Sequence, residues 1–398
     1  MNYIKAFEIV ILKKLAEKSS AGSFARKLYN NERLRVYRGH LMRKQDVDHL
    51  HSVSQNQRKN LMQTYAKQYP YLADETVKKA FAILKRMGIY DVGNPEYTDD
   101  ILFCKFAYGI EPDEYISYNF MEKSDSERVQ FVSDRELMYM VYQLNDRVDI
   151  QIYNDKAETF KFFKEYYKRD GIIVKNESDY SAFCSFSSKH STFVKKKVNE
   201  AMGKGIELMT VLPENAHMCF EQILREGKHL LEEKVEQDES LASFNKSSVN
   251  TLRLITFNTK TGIEIPFGFA KFGRDGSFVD NGGAGGIFVG IDIRNGTLIT
   301  NGYDELGHVY EEHPDSHKVF KGFSLPNFDE VLSIAKELSS KTPSVKYIGW
   351  DFAFSKAREW VVIEGNGMSQ LIGPQSVFQR GVKDKVNAIM ANMDLIGK

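Results

Sequence analysis

The sequence predicts an α+β protein with a mainly helical region over residues 1–145 and a mixed region over residues 146–398. In the first region apolar side chains recur at helical spacing, as Val77, Phe81 and Leu84 do. After about residue 146, short β-branched runs alternate with amphipathic segments, which is typical of mixed sheet and helix. The boundary follows from this change of composition.

The composition is that of a folded protein without net charge. The 398 residues include 54 basic and 54 acidic side chains, and 42% are hydrophobic. These values exclude a disordered chain and argue against a protein that binds duplex nucleic acid. The three widely spaced cysteines, Cys104, Cys184 and Cys219, predict neither a disulfide framework nor a thiolate zinc site. We see no signal peptide and no apolar run long enough to span a membrane, so we expect a cytoplasmic protein.

The mixed region divides into alternating predicted strands and helices. The strands are Gly171–Lys175, Thr192–Lys197, Ile206–Thr210, Leu230–Val235, Thr251–Asn258, Ile265–Phe272, Tyr347–Phe354 and Glu359–Glu364. The helices are Lys156–Arg169, Pro213–Glu226, Asp329–Ser339 and Ser376–Met390. No internal repeat and no low-complexity linker interrupts this order.

Residues 347–366 are the most informative segment. Two apolar runs flank a polar Ser-Lys-Ala-Arg-Glu stretch, which predicts a β-hairpin with a four-residue loop at Lys356–Glu359. This loop pairs Phe354 with Val361, Phe352 with Ile363 and Asp351 with Glu364. Strand alternation then brings two carboxylates to the same face of the hairpin.

Asp351, Glu364 and Asn366 share that face and form a candidate metal site. Two carboxylates that lie close together repel each other unless a cation lies between them. Carboxylate and amide oxygens suit Mg²⁺, which also binds substrate phosphates. The alternative is a solvated sheet face, but the neighbouring positions Gly349 and Val362 are not the polar residues expected there. The hairpin therefore predicts a magnesium–nucleotide site.

An Asp on one strand followed by Glu-x-Asn on the next resembles the end of the nucleotide domain in the ATP-grasp ligases, where these residues bind magnesium. The resemblance implies an ATP-grasp fold, in which two α+β subdomains grip ATP. It implies a nucleotide-binding subdomain at about residues 190–240 and a magnesium and substrate subdomain at about residues 245–375.

Two upstream lysines match the lysines that bind ATP phosphates in this family. Lys156 follows Asn154 and Asp155, either of which is a good helix N-cap. A lysine in the first turn of a helix interacts unfavourably with the helix dipole, so a compensating interaction is expected, for example with a phosphate. The alternative is a lysine that is simply solvated. On the strand at 192–197 the resemblance selects Lys196, which we expect to be exposed, and Lys195 stays open.

Gly203 and Gly205 follow this strand and resemble the flexible phosphate-binding loop of the family. Glycine lets backbone N–H groups approach phosphates closely, because it has no Cβ. Family members usually show Lys-Pro and more glycines here, which leaves the choice of lysine open.

The strand at 230–235 resembles the linker whose backbone reads the adenine edge in ATP-grasp proteins. The residues assigned to the base are Glu232, Glu233, Lys234 and Val235. Gln237 is the candidate for the ribose. An ordinary edge strand would have a similar sequence.

The segment Ser248–Arg253, the run Val279–Asn281 and the glycines at 285–286 resemble the ATP-grasp branch associated with sugar transfer and bacterial surface-polysaccharide synthesis. In this branch Arg253 and Arg274 become candidate catalytic residues that hold the acceptor carboxylate or the transferred phosphate. A bidentate arginine fork suits either group. A structural ion pair is the alternative for each arginine.

The resemblance implies an ATP- and Mg²⁺-dependent carboxylate–amine ligase that works through an acylphosphate. It would join an amino acid or amino sugar to a sugar carboxylate of a polysaccharide precursor. The alternatives are a phosphotransferase that acts on a sugar and a non-catalytic partner of a glycosyltransferase. Basic residues between Lys13 and Lys44 suggest attachment to an anionic inner membrane face or a lipid-linked sugar, with a solvated helix face as the alternative.

Overall fold

A computed structural model describes residues 42, 44–86, 95–200 and 205–395. The described residues form two compact units. One comprises the chain up to Met140 together with Gln370–Val386, and the other comprises Val141–Ser369 and the residues from Asn387 onward. Gly203 and the predicted basic residues from Lys13 to Arg43 lie outside the residues that the structure describes, and the side chain of Lys44 is not described either.

The first unit is helical, as its apolar spacing predicts. Its N-terminal segment contains α1 (Lys44–Ser52), α2 (Gln55–Gln68), α3 (Pro70–Arg86), α4 (Pro95–Tyr108), α5 (Pro112–Ser117), α6 (Asp125–Arg128) and α7 (Asp134–Leu144), which extends past Met140. Its core includes the fully buried Phe103, Phe106, Tyr118 and Phe131. Apolar burial of this kind is the main stabilising term for such a helical unit.

The second unit contains two antiparallel sheets and six helices among its described residues up to Ser369. The helices are α8 (Lys156–Phe162), α9 (Lys164–Tyr167), α10 (Tyr180–Lys189), α11 (Ala216–Glu226), α12 (Glu239–Ala242) and α13 (Phe328–Ser340). The strands are β1 (Gly171–Val174), β2 (Thr192–Lys197), β3 (Ile206–Thr210), β4 (His229–Glu233), β5 (Thr251–Thr259), β6 (Gly262–Phe272), β7 (Ile287–Ile291), β8 (Leu298–Tyr303), β9 (Val309–Tyr310), β10 (Tyr347–Phe354) and β11 (Trp360–Asn366).

The smaller sheet has the strand order β1-β4-β2-β3. Helices α10 and α11 supply Phe183 and Phe220, which pack with Phe193 of β2 and Leu231 of β4 in one apolar cluster. Because side chains alternate along a strand, the opposite face of this sheet is left for polar residues.

The larger sheet has the order β11-β10-β5-β6-β7-β8-β9. Helix α13 covers one face, where Trp350 Nε1 donates to Ser339 Oγ at 2.8 Å. Asp351 follows Trp350 on β10 and therefore faces the other side of the sheet.

Several predicted elements needed correction. The predicted helix Ser376–Met390 is wrong as one element, because α14 (Ile372–Phe378) ends at Phe378 and α15 (Lys383–Ala391) follows as a separate helix. The residue Gln379 has a positive φ of 49°, which breaks the helical path. The predicted helix Lys156–Arg169 is likewise interrupted at Phe163, and β7, β8 and β9 were not predicted.

Candidate nucleotide and metal site

A β-bulge sets the register of the hairpin that carries the carboxylates. Phe352 pairs with Val362 and Phe354 with Trp360, so the predicted apolar partners Ile363 and Val361 were wrong. The loop is one residue longer than predicted, which shifts the pairing of Phe352 and Phe354 by one residue. The bulge between Asp351 and Phe352 shifts the pairing back to the predicted register from Asp351 onward. Asp351 therefore lies opposite Glu364, as predicted, and Gly349 lies opposite Asn366.

Three charged residues form a row across neighbouring strands. Arg253 of β5 and Glu364 of β11 are the direct cross-strand neighbours of Asp351 on β10. Arg253 Nε donates to Asp351 Oδ1 at 2.6 Å, and Arg253 Nη2 donates to Asp351 Oδ2. Lys271 of β6 donates to the same Oδ2 at 2.9 Å. Burial would raise the pKa of Asp351, but the charges of Arg253 and Lys271 outweigh burial and lower it to about 2.

The oxygens of Asp351, Glu364 and Asn366 fit a small hard cation. Asp351 Oδ1 accepts one hydrogen bond, which leaves a lone pair for a metal. Glu364 Oε1 is 3.7 Å from Arg253 Nη2, beyond hydrogen-bond distance, and the side chain is 36% exposed. Asn366 Oδ1 accepts from Met368 N at 3.0 Å and also keeps acceptor capacity. The donor set is therefore suited to Mg²⁺.

Lys156 begins helix α8 beside the same cleft. Asp155 is the N-cap, since its Oδ1 accepts from the backbone N–H groups of Ala157 and Glu158 at 2.8 and 3.3 Å. Lys156 Nζ donates to the carbonyl oxygen of Glu200. Burial lowers the pKa of Lys156. An anionic ligand would compensate for that burial and for the unfavourable helix dipole.

Lys196 and Lys195 point to opposite faces of β2. Lys196 Nζ lies 2.5 Å from Glu232 Oε2, whereas Lys195 Nζ lies 2.6 Å from Glu226 Oε2. Lys196 is 8% exposed, so our expectation of an exposed lysine was wrong. Glu232 has a second cation, Arg169, whose Nη2 is 3.1 Å from Oε1. Burial would raise the pKa of Glu232, but these two cations lower it.

Most of the predicted nucleotide and metal residues line one cleft of the second unit. They are Lys156, Lys196, Glu232, Glu233, Lys234, Val235, Asp351 and Glu364. Asn366 lies two residues beyond Glu364 on β11, and Arg253 is the cross-strand neighbour of Asp351. Sequence reasoning assigned no role to Lys271, Arg169 or Thr251, which also line it. A lysine in the apolar run of β6 was the one available signal for Lys271.

Three other candidates do not line this cleft. Arg274 Nε and Nη2 donate to the two oxygens of Asp315 at 2.8 and 2.9 Å, and Arg274 does not line the cleft. Gly205 is not a lining residue either, although its φ of +67° suits a glycine turn. Gln237 lines a neighbouring pocket together with Glu233, Lys234 and Val235, and its Oε1 accepts from the backbone N–H of Asn250 at 2.7 Å.

The fold and the cleft define an ATP-grasp protein. A family model described as sugar-transfer associated ATP-grasp matches residues 138–391, and the chain belongs to this family. The resemblance drawn from the sequence is thereby confirmed, as is the α+β fold. No curated protein matches the sequence. None of the helices in the described ranges has both the length and the apolarity needed to cross a bilayer.

Several solved structures resemble the chain at low identity. D-alanyl-alanine synthetase A from Vibrio cholerae O1 biovar eltor is 10% identical with a TM-score of 0.39, covering 61% of this chain and 65% of its own. The ATP-grasp ligase PsnB with a minimal precursor, Mg and ADP is 10% identical with a TM-score of 0.39, and the match covers 65% of this chain and 66% of PsnB. D-alanine–D-alanine ligase from Bacillus anthracis is 13% identical with a TM-score of 0.37, and the match covers 62% of this chain and 69% of the ligase. The chain thus spans about two thirds of each.

Proposed function

We propose that this protein is an ATP-dependent carboxylate–amine ligase that forms an amide on a bacterial surface-polysaccharide precursor in the cytoplasm. The observation that carries the proposal is the meeting of Lys156, Lys196 and the opposed carboxylates Asp351 and Glu364 at one cleft. Two lysines together with Mg²⁺ can neutralise a triphosphate, and membership of a sugar-transfer associated ATP-grasp family supports a sugar-derived substrate.

Different residues of the cleft would bind the metal, the phosphates and the base. Asp351, Glu364 and Asn366 would hold Mg²⁺, which supplies charge neutralisation at the phosphates when bound. Lys156 and Lys196 would contact the phosphates, and the linker Glu232–Val235 would line the base. Arg253, which contacts Asp351, is the remaining candidate for orienting the acceptor carboxylate.

The proposed reaction has two steps. A substrate carboxylate oxygen attacks the γ-phosphorus of ATP, and the bond to ADP breaks, which gives an acylphosphate and ADP. The substrate amine then attacks the acyl carbon, phosphate leaves, and the nitrogen loses a proton. Because the acylphosphate is already activated, no nucleophilic side chain is required, and catalysis rests on positioning and charge stabilisation.

The test is to screen amino acids and amino sugars with uronic-acid or amino-sugar nucleotides for ADP release. A ligase releases ADP at full rate only with both co-substrates, and hydroxylamine traps the intermediate as a hydroxamate. A phosphorylated sugar as the end product would favour a phosphotransferase instead. Polymer synthesis that survives in both Asp351→Asn and Glu364→Ala would favour a non-catalytic role.

A further inference from the structure

Lys271 is a buried cation of the cleft to which the proposed function assigns no role. It lies on β6 next to apolar residues and is 4% exposed. Its Nζ is 2.9 Å from Asp351 Oδ2 and 4.0 Å from Asp280 Oδ1. A buried ammonium group is tolerated only where it is paired, so these two carboxylates account for its position.

Asp351 has two cations beside it, Arg253 and Lys271, which together balance its own charge and that of Glu364. Arg253 already contacts both carboxylate oxygens, which is the strongest form of arginine–carboxylate pairing. Lys271 adds a second cation on Oδ2. A divalent ion that approaches Asp351 and Glu364 alone therefore meets two carboxylates whose charges Arg253 and Lys271 already compensate. A triphosphate, held by Lys156 and Lys196, would reverse this balance.

Asp280 offers Lys271 a second position. Asp280 is 7% exposed, and its Oδ2 accepts a hydrogen bond from Thr251 Oγ1 at 2.5 Å. Its Oδ1 is the atom 4.0 Å from Lys271 Nζ, close enough to be reached by rotation of the lysine side chain. The lysine can thus leave Asp351 without losing a carboxylate partner.

We propose that Lys271 is a movable counter-ion of Asp351, which keeps the carboxylate pair from binding a free divalent cation and turns to Asp280 when a metal–nucleotide complex enters. Metal and nucleotide then bind together rather than in sequence. This inference rests on the proposed function, because it assumes that Asp351 and Glu364 hold the metal of the nucleotide.

The experiment measures Mn²⁺ binding to the full chain by electron paramagnetic resonance, with and without a non-hydrolysable ATP analogue. Without nucleotide, we expect wild type and Lys271→Arg to bind Mn²⁺ weakly and Lys271→Met to bind it at least about tenfold more tightly, because one compensating charge is gone. Lys196→Met is the matched control, since it removes a cation of the same cleft that contacts Glu232 rather than Asp351.

An equal gain in Mn²⁺ affinity in Lys196→Met and Lys271→Met would overturn the inference. The gain would then come from the lower positive charge of the whole cleft and not from the contact between Lys271 and Asp351. Wild type that binds Mn²⁺ equally well with and without the nucleotide would overturn it too, and this arm needs no variant. Lys271→Gln replaces Lys271→Met if the latter does not fold. A wild type that fails to bind the Mn²⁺–nucleotide complex at all would overturn both this inference and the proposed function.

Discussion

Replacing Asp351 with asparagine should destabilise the second unit severely. Asp351 is 2% exposed and is the shared counter-charge of Arg253 and Lys271, whose side chains are 15% and 6% exposed. The amide keeps the shape but removes the charge, and its NH₂ group faces donors. Removing one partner of a buried ion pair costs about 3–5 kcal/mol, because the remaining charge stays buried.

The pKa of Asp351 gives a second value for the stability that is lost when the charge of Asp351 is removed. Its value of about 2 lies nearly two units below that of an ordinary aspartate, and each unit corresponds to about 1.4 kcal/mol in favour of the ionised form. This amounts to about 2 kcal/mol for the loss of the negative charge. The two values together predict a loss of about 2–5 kcal/mol in the free energy of unfolding.

The assay is urea unfolding followed by tryptophan fluorescence. The chain has two tryptophans, Trp350 and Trp360, and both are buried in the hairpin that carries Asp351. Glu364→Gln is the matched control, because Glu364 is 36% exposed and has only a 3.7 Å contact to Arg253. It should cost less than about 1 kcal/mol. Equal urea midpoints for Asp351→Asn and wild type, or a control as damaging as Asp351→Asn, would refute this reasoning.

Three further predictions follow from the same contacts. Lys196→Met should weaken ATP binding at least about tenfold by calorimetry, whereas Lys195→Met, on the other face of β2, should leave it unchanged; equal losses would contradict the assignment. The folded pKa of Asp351 lies below its unfolded value, so its contribution to stability is present above about pH 4 and lost as the pH falls towards 2. The difference in unfolding free energy between wild type and Asp351→Asn should therefore shrink over that range in a denaturant series, and a constant difference would count against the ion pair. Arg274→Ala breaks a partly exposed pair with Asp315 and should cost about 1 kcal/mol or less without changing ATP affinity; a tenfold loss of affinity would return Arg274 to the site.

Local pattern was sufficient to predict the strands that carry the site. The bounds of β2, β3 and β10 match the predicted ones, and β10 is the clearest case because its apolar and aromatic run lies between Lys346 and Ser355. The pairing of Asp351 with Glu364 was also correct, although the predicted loop was one residue too short. The bulge at Ile363 offsets that error, and no sequence pattern marks it.

Contacts between distant parts of the chain could not be predicted. Lys271 is 80 residues from Asp351, and its role depends on the order of β10, β5 and β6 in the sheet. Similarly, the choice of Lys196 over Lys195 depends on which face of β2 the aromatic helices cover. Strand β8 mixes apolar residues with Thr300, Asn301 and Gly302, so its period-2 signal is weak.

The most direct test of the central claim is a crystal structure of the protein with Mg²⁺ and a non-hydrolysable ATP analogue. The account predicts a metal ion bound by Asp351 and Glu364, with the triphosphate within contact distance of Lys156 and Lys196. A nucleotide bound at another site, or a metal that contacts neither carboxylate, would contradict it.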